Sequence, residues 1–62
     1  MKEQMIRSWM KKRGLSQREL ARVLGVHETT ISRILTGTRR LGVRPAMRLA
    51  KEMGVPMETF FQ

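Results

Sequence analysis

Apolar residues recur along this chain at three- and four-residue intervals, and glycines cut the pattern into short runs. Met5, Ile6, Trp9 and Met10 form one stripe, which predicts a first helix from about Lys2 to Arg13. Lys11, Lys12 and Arg13 lie in its last turn, where cations suit the negative end of the dipole, and Gly14 closes it. Ser16 and Glu19 have the spacing of a capping box. A second helix therefore starts at Gln17 and runs to about Leu24, with Leu20, Ala21 and Leu24 as its apolar positions. Gly25 stops it, because glycine takes the left-handed conformation at little steric cost. Val26, Ile31 and Ile34 then mark a third helix, from about Glu28 to Leu35, ended by Gly37. His27 falls at its N-cap, where imidazole is a poor substitute for a small hydroxyl.

Thr38 to Val43 reads as a loop. Pro45 suits the first turn of a fourth helix. Met47, Leu49, Ala50 and Met53 supply its apolar positions, and Gly54 stops it. Pro56 opens a last short helix that ends with Phe60 and Phe61. No strand signal, internal repeat, low-complexity tract or interdomain linker is present. The pattern predicts an all-α fold in one small domain, residues 1–62, with five helices around one core. Trp9, Leu20, Leu24, Val26, Ile31, Ile34, Leu49 and Phe60 are expected at its centre.

The second and third helices carry the most information. Their apolar residues can all meet if the helices cross steeply over a tight turn at Gly25, as in a helix-turn-helix spanning about residues 17–36. Ala21 falls at the crossing, where only a small side chain leaves room. Glu28, Thr29, Ser32, Arg33 and Thr36 then point outward. They are polar, of mixed length and able to hydrogen-bond, as a helix needs to be if it reads base edges in a major groove.

Charge points the same way without deciding the matter. Thirteen basic residues against five acidic ones give a formal charge of +8, and the pI is near 11.7. Such a field favours a polyanion, either nucleic acid or an anionic membrane surface. Cysteine is absent and histidine occurs once, so a disulfide framework and a zinc site are both excluded. No catalytic grouping or phosphate-binding glycine loop is present, so no enzyme activity, cofactor, metal or small-molecule ligand is expected. No apolar run reaches the length of a membrane span, and the N-terminus lacks a secretory signal. A cytoplasmic protein with no membrane partner is expected. Trp9 lies on an apolar stripe and reads as core rather than as a base-stacking platform.

Each outward residue of the third helix has more than one reading. Arg33 can hold guanine through O6 and N7, touch a phosphate, or pair with a surface carboxylate. Thr29 can offer a hydroxyl to a base or a methyl to thymine, or be an ordinary first-turn threonine. Glu28 can accept from cytosine N4, favour the positive end of the helix, or orient Arg33. Ser32 can reach a base or phosphate only over a short distance. Thr30 turns toward the second helix.

The segments RGLSQRELARVLGVHETTISRILTG and LAKEMGVPMETFF resemble the phage Cro and lambda-repressor-like helix-turn-helix family (XRE type), over most of the chain. His27 departs from the small hydroxyl that many relatives carry. The resemblance implies a five-helix domain that binds specific double-stranded DNA and regulates transcription, most simply as a repressor associated with the nucleoid. It implies a homodimer, at least on DNA, on a near-palindromic operator with the third helix in the major groove. It implies phosphate contacts from Gln17 at the start of the second helix and from the loop region of Arg39, Arg40 and Arg44. Arg18 is the best further candidate. Met57 and Phe61 are expected near the surface, in the dimer interface. The alternative is an antitoxin or accessory protein-binding module on the same fold. A nonspecific basic surface binder would not need the paired apolar positions on either side of Gly25.

Overall fold

The computed structural model describes residues 2–61, so residues 1 and 62 of the expected domain lie outside the described residues. Four α-helices occupy it: α1 is Lys2–Arg13, α2 is Gln17–Leu24, α3 is Glu28–Leu35 and α4 is Val43–Met53. The first three have the expected boundaries. The fifth helix is a correction, because Met57–Phe60 is a single 3₁₀ turn. Thr59 N–H donates to the Pro56 carbonyl at 3.1 Å and Phe61 N–H to Glu58 at 3.0 Å. Four residues close such i→i+3 bonds but are too few to propagate an α-helix.

Capping chemistry sets the ends of α2. Ser16 Oγ accepts from Glu19 N–H at 3.1 Å, and Glu19 Oε1 accepts from Ser16 N–H at 2.9 Å. These two bonds complete the capping box. At the far end Gly25 has φ +68°. Its N–H donates to the Arg22 carbonyl at 3.3 Å, and Val26 N–H donates to Ala21 at 3.0 Å. This pair of bonds is a Schellman motif, and it turns the chain directly into α3. A Cβ on Gly25 would meet nothing within 4 Å, so the backbone angle alone requires glycine there.

The core joins one stripe from each helix. Ile6 and Met10 of α1, Leu20 and Ala21 of α2, and Ile31 and Leu35 of α3 meet Ala46, Leu49 and Ala50 of α4, with Phe60 closing the end. Four expected positions change. Trp9, Leu24 and Val26 are only partly buried and flank the core rather than centre it. The Arg13 guanidinium lies 5.6 Å from the Trp9 ring centroid, so that ring faces a cation on its outer side. Met47 is 56% exposed. The buried positions of α4 run 46, 49, 50 and partly 53, and Met47 falls about 100° away from that stripe. No buried side-chain N or O among the described residues lacks a hydrogen-bond partner.

Candidate nucleic-acid interface

α3 presents two unlike faces. Ile31, Ile34 and Leu35 are buried beneath it, and α2 is the element it packs against most extensively. Glu28, Thr29, Ser32, Arg33 and Thr36 are all exposed on the other side, and Thr30 is half-buried. Arg7 Nη2 of α1 donates to the Leu35 carbonyl at 3.1 Å, which ties the end of α3 to the rest of the molecule. The eight residues of α3 span about 12 Å at the helical rise, close to the width of a major groove.

His27 takes extended angles at the N-cap of α3 and gives no side-chain cap bond. Its backbone carbonyl nevertheless accepts from Thr30 and Ile31, so the helix starts at Glu28 without the hydroxyl usual at this position. Glu28 is the acidic residue of the first turn, a favourable place in the helix dipole. The single ion pair among the described residues is Arg48–Glu52, at 2.9 Å. Glu28 therefore does not hold Arg33 in place, and the Arg33 guanidinium has no carboxylate partner among the described residues.

The loop after α3 hangs from one atom. The Arg33 carbonyl accepts from Thr38 N–H at 2.9 Å and from Arg39 N–H at 3.3 Å. Thr36 Oγ1 approaches it at 3.1 Å and Thr38 Oγ1 at 3.2 Å. Gly37, with φ +79°, donates to Ile34 at 3.1 Å, completing a second Schellman turn. Thr36 thus points outward but its hydroxyl is already engaged. Arg39 and Arg40 are exposed and held next to the end of α3, while Arg44 is exposed in the first turn of α4.

Gln17 and Arg18 open α2, half-buried and exposed respectively. The cap bonds use the amides of Ser16, Glu19 and Leu20. Those of Gln17 and Arg18, at the first two helical positions, have no acceptor within the helix. Glu19 stays ionised at this helix end. The backbone N–H of Ser16, its hydroxyl and the nearby Arg22 hold the carboxyl below the usual carboxylate range. Arg18, Arg22, His27, Glu28 and Thr29 border one shallow groove between α2 and α3.

Met57 is partly buried against the core, and Phe61 is 51% exposed. Sequence reasoning missed the part played by Arg7, the two threonine hydroxyls, and Val43, which is 60% exposed. Each depends on which segments become neighbours, and their local spacing carries no sign of it. Among the described residues no group of His, Cys, Asp or Glu is arranged to hold a metal.

Two short helices clamped over a left-handed glycine, the second with an outward polar face, form a helix-turn-helix of the DNA-binding kind. The family model described as "Helix-turn-helix" matches residues 6–60, and the chain belongs to this XRE-type, Cro/lambda-repressor-like family. No curated protein and no solved structure gives a significant match. Among the described residues no helix is long and apolar enough to cross a membrane.

Proposed function

We propose that this protein is a sequence-specific regulator of transcription, a Cro-like repressor that occupies a near-palindromic operator as a homodimer in the cytoplasm or nucleoid. One observation carries the reading. The face of α3 with Glu28, Thr29, Ser32 and Arg33 is free, while its opposite face is locked into the core. Arg33 reads a guanine, Thr29 a neighbouring base, and Ser32 and Glu28 supply shorter-range discrimination. Gln17 and Arg18 at the start of α2, with Arg39, Arg40 and Arg44, hold phosphates and set the register of α3. Pairing uses Phe61 together with Val43 and Met47, which share one side of α4 at i,i+4 spacing and are more exposed than Phe61. Met57, partly buried against the core, adds what remains of its surface to the pairing.

Selection of bound sites from random DNA tests the proposal. A recovered site with two inverted half-sites about 34 Å apart between centres is the expected result. A chain that binds random and selected duplex equally at the same salt is not a specific regulator. Co-purification with a small toxic partner would instead favour the antitoxin reading.

A further inference from the structure

A cleft of about 750 Å³ opens between the start of α1, the α3–α4 loop and the C-terminal turn. Ile6, Ile34 and Phe60 reach its floor from the core, and Leu41, Val43 and Phe61 form its apolar side. Lys2, Arg39 and Arg40 also line it, against one carboxylate among the described residues, Glu3. Lys2 Nζ donates to the Phe60 carbonyl at 2.6 Å, and among the described residues its two further N–H donors have no acceptor. Exposed large apolar side chains beside a cleft mark an interaction surface.

Charge decides what fits. A second copy would carry the same three cations toward the cleft, on a body whose formal charge is already +8. Pairing at the outer lip on DNA escapes this repulsion, because phosphates neutralise the arginines there, but insertion into the cleft does not. A duplex offers acid without large apolar side chains. The cleft is partly open, whereas small-molecule sites enclose most of their ligand. A polypeptide that alternates carboxylates with large apolar side chains satisfies both the apolar side and the cations.

We propose that this cleft docks an acidic, apolar-anchored segment of another protein. Its apolar side chains lie on Leu41, Val43 and Phe61, and its carboxylates meet Arg39, Arg40 and Lys2. The consequence rests on the DNA-binding reading above. Docking withdraws Arg39 and Arg40 from phosphate and covers Val43 and Phe61, so the segment and the operator exclude one another.

A short synthetic peptide alternating Glu with Leu, titrated into the isotope-labelled full chain, tests this. Saturable shifts of the Leu41, Val43 and Phe61 amides are expected. A peptide alternating Glu with Ser should leave those amides in place. The V43S/F61S double variant should bind the Glu/Leu peptide at least about tenfold more weakly. Both positions are exposed, and a native melting curve for the variant confirms its fold. Equal binding of the two peptides, or shifts confined to α2 and α3, would reduce the effect to nonspecific attraction and overturn the proposal. So would the same shifts on raising protein concentration alone, which would put a second copy in the cleft. In a second arm the Glu/Leu peptide should displace a selected duplex, and simultaneous binding of both would refute the exclusion. A chain that binds no specific duplex but docks the peptide would sink the regulator reading and leave the docking site standing.

Discussion

Arg33 and His27 do different work at the scale of single residues. Arg33 is exposed and free of carboxylates among the described residues, so its whole donor fork is available to a base. Arg33→Ala should cost about 1–3 kcal/mol on selected DNA and relax preference at one base position. Quantitative binding to single-base variants of the site checks this, and an equal loss on random DNA would demote Arg33 to a phosphate contact. His27 sits at a cap whose geometry suits serine, yet contributes no cap bond. His27→Ser should therefore stabilise the fold by about 1 kcal/mol, seen as a higher melting temperature; no change would mean that α3 does not need its cap. Glu19 supplies the pH dependence. Its folded-state pKa lies below the ordinary value, so its contribution is present above the unfolded carboxylate range and is lost as pH falls through the folded value. Glu19→Gln keeps an acceptor for Ser16 N–H but cannot titrate. Melting curves across that acid range should show a shallower loss of stability in this variant than in the wild type.

At the scale of elements, the crossing of α2 and α3 is the joint that matters. Ala21 is 4% exposed and borders the groove between these helices, and the Schellman turn at Gly25 fixes the approach. Ala21→Leu should destabilise by about 1–3 kcal/mol through overpacking. A domain of this size then melts several degrees lower, at about 4–8 °C per kcal/mol. An unchanged midpoint would mean the crossing has slack. This joint was readable in the chain because local rules write it: a capping box, a glycine, and apolar residues at helical spacing. The outward face of α3 followed from the same periodicity by subtraction. What stayed hidden was tertiary. Met47 looked apolar enough for the core, but Ala46 sits on the stripe and Met47 beside it. Trp9 looked central but packs at the edge under Arg13. Thr36 read as part of the outward face and Thr38 as the start of a loop, and only their convergence on the Arg33 carbonyl shows that they hang the loop. The cleft was invisible because it joins residues from both ends of the chain.

At the scale of the whole molecule, the Cα trace measures 24 × 23 × 20 Å, which is less than the ~34 Å between the centres of successive half-sites. One copy can therefore serve one half-site, and a twofold operator needs two. On the proposed reading each copy offers Arg18, Arg39, Arg40 and Arg44 to the backbone, so a pair neutralises about eight phosphates if all four engage. Affinity should then fall by about 10³–10⁵ between ~50 and ~200 mM salt. The slope also tests the stoichiometry. Arg40→Ala removes one cation per copy, so the slope of log affinity against log salt should drop by about 2 for a pair and about 1 for a monomer. Titrating wild type and variant on the selected operator across that salt range separates the two. A slope unmoved by Arg40→Ala would place the α3–α4 loop away from the duplex and leave its arginines to the cleft alone.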